Sequence, residues 1–370
     1  MDGAPRSILL GATGLGIDGG IACVTRCIAR ALDEEIERGR LERSDRVLLL
    51  DAAPPPAPWR GEQSLAHGSK RRFAWQLWRE LRRHRHDLVL VDHLGLARIF
   101  RLPLPGFPPR YAIFVHGGEL LAAVAGSRRW GLRRALLLLT NSRFTANSVR
   151  RLLPEVEAHL RVVPLCVDPE KVAVWEVLEA AEPAPAPRAP AALIVGRLWS
   201  TERGKGHDAL LEAWPEVVRR CPAAELWIAG SGDDLERLQA KGRAAGIADR
   251  VRFLGRVSDE ELGRLYRRAS VYAMPSRQEG FGLVYAEAMW HGTPCIGSTA
   301  DAAGELIDDG KTGLLVPYAD AGALATALID LLGNRDRREK MGEAARAHAR
   351  AHFVYPCFRR DLLRALRSGV

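Results

Sequence analysis

Short apolar runs that stop at a glycine or a polar residue, each followed by a stretch with helical spacing, recur along this whole chain. That alternation restricts it to an α/β architecture with parallel sheets. In the first half the runs are Ser7–Leu10, Arg46–Leu50, Leu88–Val91, Tyr111–Val115 and Ala135–Leu139. They end at Gly11, Asp51, Asp92, His116 and Thr140-Asn141-Ser142. The pattern restarts with Ala192–Val195, Ala224–Ala229, Val251–Leu254, Val271–Met274, Pro294–Gly297 and Thr312–Val316. Helical spacing falls between them, at Ile21–Leu32 and Phe144–Leu152 in the first half. In the second it falls at His207–Val218, Asp233–Ala245, Asp259–Ala269, Gly282–Trp290 and Asp320–Leu332. Ser258-Asp259-Glu260-Glu261 has the pattern of a helix-starting capping box. The expected organisation is a first Rossmann-like domain over 1–168, an Ala/Pro-rich linker over 169–190, a second Rossmann-like domain over 191–350 and a terminal helix over 351–370. A length of 370 residues suits two domains, each able to bury its own core.

Charge narrows the partners. The formal net charge is +9, which favours acidic partners such as nucleic acid, anionic lipid or phosphorylated small molecules. The six cysteines form no CxxC pair and no zinc-spaced cluster with histidine. They read as small core residues in a reducing cytosol. The longest apolar run is far shorter than the roughly 20 residues of a membrane span, and Ser7–Leu10 is too short for a signal segment. A cytoplasmic protein is expected, peripheral on the inner face of the membrane if it meets one.

Four constellations carry chemistry. In Pro275–Met289, Glu279 precedes a loop containing Gly280, Phe281, Gly282 and Leu283, and Glu287 lies about two turns into the helix that follows. Backbone N–H groups and the helix dipole there suit a phosphate or sugar oxygens. Glu287 could accept from a vicinal diol. Spacing alone also fits a capped helix with two solvated glutamates. Gly196-Arg197-Leu198 followed by Gly204-Lys205-Gly206-His207 brings an Arg and a Lys off a strand end and a glycine turn, suited to a pyrophosphate. The loop Gly14–Gly20, with Gly16, Gly19 and Gly20, sits between a strand and a helix. It is a weak G-x-G-x-x-G pattern, with no acidic residue at the usual ribose spacing. His116, in Val115-His116-Gly117-Gly118-Glu119, ends a buried strand and could meet a sugar hydroxyl or be purely structural. No zinc ligand set, no Walker loop and no Asp-x-Asp metal motif is present. The cations would carry the electrostatic work, and neither metal nor other cofactor is expected.

These pieces, in this order, resemble the family 4 retaining glycosyltransferases. The match is most specific from Gly196 to Val316, through Gly196-Arg197-Leu198, Glu202–Asp208, Pro275–Glu287, Gly292-Thr293-Pro294 and Gly310–Val316. The resemblance implies the GT-B fold: two Rossmann-like domains facing across a cleft, with a C-terminal helix crossing back to the first, Phe353–Leu366 here. It implies a nucleoside-diphosphate-sugar donor whose diphosphate is bound by Arg197 and Lys205. Glu287 would take the ribose, and Glu279 with the amides of Gly280–Leu283 the sugar. His116 and the Gly16–Gly20 loop would close the site. It further implies front-face displacement with retention, without a protein nucleophile. A hexose would pass to a lipid-linked or oligosaccharide acceptor in surface-glycan synthesis; His-Gly-Gly-Glu hints at mannose. Two departures stand out: Pro54-Pro55-Pro56 in the acceptor half, and Ala302-Ala303-Gly304-Glu305 where the family has a glycine-rich turn. A nucleotide-sugar epimerase of the same fold and a non-catalytic membrane-surface partner remain alternatives.

One further stretch, Lys70–Arg85, interleaves cations with aromatics. Phe73, Leu77 and Leu81 share a helical stripe, with Ala74 and Trp78 beside it. The stripe either faces the domain core or lies against an anionic membrane, extended by Arg128–Arg134. No nucleic-acid recognition motif accompanies it, so nucleic acid is not an expected partner.

Overall fold

The structure is a computed structural model. It describes residues 5–17, 19–54, 59–120, 126–182 and 187–368. Asp18, Pro55, Pro56 and residues 183–186 of the expected linker lie outside them. The chain divides into two compact units, Met1–Asp168 with Tyr355–Val370, and Pro169–Val354.

The first unit runs β1 (Ser7–Ala12), α1 (Gly20–Glu37), β2 (Arg43–Leu48), β3 (Gln63–Leu65), α2 (Lys70–His84), β4 (Leu88–Val91), β5 (Tyr111–Val115), α3 (Gly126–Arg134), β6 (Leu137–Thr140), α4 (Arg143–Leu152) and β7 (Leu160–Val162). Its seven strands are all parallel, in the order β3-β2-β1-β4-β5-β6-β7. β3 and β7, three residues each, were too short to leave a periodic signal. β2 starts three residues earlier than its apolar run, and its Ser44, Asp45 and Arg46 are buried. They are tolerated because each charge is matched. Asp45 takes Arg43 and His86, and Arg46 takes Asp33. Hydrogen bonds from His86 and Arg43 hold the Asp45 carboxyl far below the usual range, against its burial.

The second unit runs α5 (Pro169–Ala181), β8 (Ala189–Val195), α6 (His207–Arg220), β9 (Glu225–Ala229), α7 (Leu235–Ala244), β10 (Val251–Gly255), α8 (Asp259–Arg268), β11 (Ala269–Ala273), α9 (Leu283–Trp290), β12 (Cys295–Ser298), α10 (Ala303–Leu306), β13 (Gly313–Val316), α11 (Ala321–Gly333) and α12 (Arg335–His352). Its six strands are parallel in the order β10-β9-β8-β11-β12-β13. Ser258 Oγ accepts from Glu261 N–H at 3.1 Å, so the capping box starts α8 as its sequence predicts. The last helix, α13 (Tyr355–Ser368), belongs to the first unit. There Tyr355 meets Glu34 on α1, and Arg359 meets Glu34 and Glu35.

The expected linker is largely a helix. α5 fills 169–181 and is anchored by Trp175, which is fully buried. Its indole Nε1–H donates to the Asp259 carbonyl at 2.8 Å. Pro190, the last residue of the expected linker, lies near the head of β8, where the pairing with β11 skips a residue between Ala189 and Ala192. That irregularity absorbs the missing donor.

In open α/β sheets, ligands bind beyond the carboxyl ends of the strands where the order reverses. The reversal falls between β1 and β4 in the first unit and between β8 and β11 in the second. The loops after β8 and β11 carry Arg197, Lys205 and Glu279.

Candidate functional site

In the second unit, β8 runs into Gly196-Arg197-Leu198. The Gly196 N–H donates to the Ala229 carbonyl and the Leu198 N–H to that of Ser231. A Cβ on Gly230, at φ +145°, would overlap the Gly196 carbonyl oxygen, so this close approach requires glycine. Arg197 is therefore aimed from a fixed base. Its guanidinium lies 4.5 Å over the Trp199 ring and 2.5 Å from Glu202 Oε1. Lys205 Nζ lies 3.3 Å from the other oxygen of the same carboxylate. The two expected diphosphate ligands thus converge on one counter-ion, Glu202, which the sequence reading did not assign a role.

The glycine turn around Lys205 is joined to the loop after β11. The Gly204 carbonyl accepts from the Arg277 N–H at 2.8 Å, and a Cβ on Gly206 (φ +98°) would stand 2.8 Å from Pro275. The loop is held from beneath by Asp301, which takes the Ser276 hydroxyl and the Glu279 N–H. Asp301 also accepts from the Ala303 N–H at 2.9 Å. Burial pushes the Asp301 carboxyl up to about 6. The Ala302-Ala303 departure follows Asp301 directly: both alanines are buried, and the Ala302 N–H donates to the Glu279 carbonyl at 3.2 Å. Gly282 adopts φ +95° at the head of α9, where a Cβ would stand 2.5 Å from the Tyr285 ring. Tyr285 donates its hydroxyl to the Met274 carbonyl. Glu279 is half-buried, and among the described residues no donor is recorded on its carboxylate. Gly280 and Phe281 are buried and Leu283 is half-buried.

Glu287 is 5% exposed, unlike a solvated glutamate. Lys171 Nζ donates to its Oε1 and the Tyr266 hydroxyl to its Oε2, each at 2.9 Å. Neither donor belongs to the recognised motif. Lys171 lies inside the expected linker, where no sequence signal marked it.

In the first unit, Asp92 at the end of β4 is fully buried. Its Oδ2 accepts from the Thr13 N–H (2.9 Å), the Thr13 hydroxyl (2.6 Å) and the Thr25 hydroxyl (2.7 Å). The His116 ring stacks on Phe114 with centroids 5.0 Å apart, and its Nε2 lies 2.8 Å from the Asp92 carbonyl oxygen. A carbonyl only accepts, so Nε2 carries the proton. Burial pushes the imidazole down and the Asp92 carboxyl up, each opposed by its neighbours. Neutral His116 then keeps Nδ1 as an acceptor.

The Gly14–Gly20 loop differs from its expected use. The Leu15 and Gly16 N–H groups both donate to Asp51, at 2.8 Å each. The Gly16 amide is thus occupied by a protein carboxylate. Gly19, at φ +125°, and Gly20 lead into α1. The α2 stripe is resolved in favour of the core: Phe73 and Leu77 are fully buried. What α2 leaves outside is Lys70, Arg71, Arg72, Arg82 and Arg83, with Trp75 at 53% exposure. Among the described residues no helix is long and apolar enough to cross a membrane.

The family model for Glycosyltransferase Family 4 matches residues 19–171, and that for Glycosyl transferases group 1 matches residues 189–334. Together they take in most of both units, and the chain belongs to the family 4 glycosyltransferases. Over 149 residues it is 40% identical to a GDP-mannose-dependent alpha-(1-6)-phosphatidylinositol monomannoside mannosyltransferase of Mycolicibacterium smegmatis, covering 38% of this chain and 39% of that one. Over 171 residues it is 40% identical to a D-inositol 3-phosphate glycosyltransferase of Nocardia farcinica, covering 44% of this chain and 37% of that one. The chain thus spans about two fifths of the length of these relatives. Among solved structures it resembles a sucrose-phosphate synthase from Thermosynechococcus elongatus, with TM-score 0.78 and 22% identity over 98% of this chain and 99% of that one. It also resembles Anabaena HepE in complex with UDP-glucose, with TM-score 0.73 and 18% identity over 98% of this chain and 100% of that one. The fold is theirs: α/β, with two Rossmann-like domains.

Proposed function

We propose that the chain is a retaining, metal-independent hexosyltransferase. It moves mannose from a nucleoside-diphosphate sugar to a lipid-linked acceptor, working at the cytoplasmic face of the membrane. The observation that carries this reading is the convergence of Arg197 and Lys205 on the two oxygens of Glu202, on a turn joined by a backbone hydrogen bond to the Glu279 loop. A donor diphosphate would displace that carboxylate and meet two cations already in place. Fixed positive charge at a departing diphosphate stabilises the charge that develops there, without reorganisation at the moment of reaction. Backbone N–H groups at the head of α9 would hold the donor sugar beside Glu279, and Glu287 would take the ribose diol. His116 Nδ1 would accept from a sugar hydroxyl.

The donor and acceptor classes draw on relatives whose names specify GDP-mannose and phosphatidylinositol mannosides. The outward cations of α2, with Trp75, supply a surface for anionic lipid. The test is to screen GDP-mannose, UDP-glucose and ADP-glucose for thermal stabilisation without added metal and with EDTA. Transfer from the stabilising donor to a phosphatidylinositol mannoside then follows, with the anomer of the product read by NMR. Stabilisation by no nucleotide sugar, or an inverted product, overturns the proposal.

A further inference from the structure

We infer that Lys171 is a positioning residue for nucleotide recognition: from α5, outside the family's motif, it presets the Glu287 carboxylate to receive a ribose diol. The inference rests on the reading of Glu287 as the ribose partner.

An ionised carboxylate accepts at about four lone-pair sites. Two on Glu287 are filled from the protein side, by Lys171 at Oε1 and Tyr266 at Oε2. Their positions fix the plane of the group, and the remaining sites suit the two hydroxyl donors of a vicinal diol. The ammonium also offsets the cost of holding a carboxylate that is 5% exposed. Tyr266 brings no formal charge, so that part falls to Lys171.

Lys171 is itself held. It and Trp175 are four residues apart, on one face of α5. The Trp175 ring packs where a Cβ on Gly263 would stand 2.5 Å from its Cδ1, so only glycine at 263 admits it. Its edges meet His291 and Tyr266, with centroids 4.6 and 6.3 Å away. Lys171 Nζ lies 3.4 Å from Asp259, whose carbonyl takes the Trp175 indole. Trp175 is the one fully buried residue of α5, so the helix is pinned beside its lysine.

The experiment uses GDP and UDP and their 2′,3′-dideoxy forms as probes, with dissociation constants measured by calorimetry on the full chain, wild type and Lys171→Met. A site built to hydrogen-bond hydroxyls discriminates strongly against an analogue lacking them, so wild type is expected to favour the ribose form of whichever nucleotide binds by about tenfold or more. Lys171→Met is expected to bring that ratio to within about threefold, through loss of the ribose form's affinity alone, and Lys171→Arg to restore part of it. A purely structural lysine would weaken both forms equally and leave the ratio unmoved. If wild type shows no ribose preference, the reading of Glu287 fails and the inference with it. If wild type discriminates and Lys171→Met does so equally, the inference alone is overturned. Should Lys171→Met not fold, Lys171→Gln, which keeps a donor without the charge, is judged by the same ratio.

Discussion

The two units share a central strand order but treat the loop after the first strand oppositely. In the first unit, the strand next to β1 leads to Asp51, and that carboxylate accepts the Leu15 and Gly16 N–H groups. In the second, the strand next to β8 leads to Gly230-Ser231-Gly232, which pairs with the loop through backbone alone. The first loop thus has an anion built in. In the second loop the carboxylate of Glu202 stands on the side chains of Arg197 and Lys205 rather than on the first amides of the loop, and Asp233 accepts from the Ser200 N–H further along. Topology places a strand-order reversal in each unit, and the proposed diphosphate site uses the second, where Arg197 and Lys205 stand together. A lone glycine pattern is weak evidence for this reason: in the first unit two amides of the loop, those of Leu15 and Gly16, are taken by a protein carboxylate.

The sharpest way to break the contrast is to remove a cation. Lys205→Ala is expected to lower kcat/KM for the donor by about 10²–10³-fold, the scale of losing one preorganised charge-stabilising group. A loss below tenfold in steady-state assays would void the site assignment. Next in size is Gly230→Ala, whose Cβ would overlap Gly196. We expect about 3 kcal/mol or more of destabilisation, read by denaturant unfolding. His207, buried behind Lys205, is held down to about 4, chiefly by burial and then by the lysine's charge. Its folded value lies below the ordinary one near 6.5. Its contribution is therefore complete above about 6.5 and lost as pH falls toward 4, by roughly 2–3 kcal/mol in all. Unfolding midpoints measured from pH 7.5 to 4 should show this slope, flattened in His207→Gln. Asp51→Ala orphans two amides of the first loop and should cost about 1–3 kcal/mol. Nucleoside-diphosphate affinity should be unchanged; a gain would mean the first loop can also serve as an anion site. The smallest effect is at the surface. Arg71→Ala with Arg72→Ala should change stability by less than about 0.5 kcal/mol while reducing sedimentation with phosphatidylserine vesicles. Unaltered sedimentation would remove α2 from the proposed membrane face.

Legibility followed the range of the interactions. The strands and helices that bury a continuous run or stripe were readable, and short-spaced glycines marked the turns that carry Arg197, Lys205 and Glu279. β3 and β7 were not, being held by pairing with neighbours rather than by their own pattern. Neither was α5, whose one buried anchor leaves no apolar period.

The amino-acid sequence alone determined the alternating architecture, the family and the local turns, since periodicity, capping and glycine conformations act over a few residues. Only the tertiary structure decided what stands opposite the distant charges: Asp301 beneath the Glu279 loop, Asp51 across the first glycine loop, and Lys171 with Tyr266 on Glu287. Parallel strands bring distant segments to one sheet edge, and electrostatic partners are chosen by that proximity in space, which no short-range pattern records.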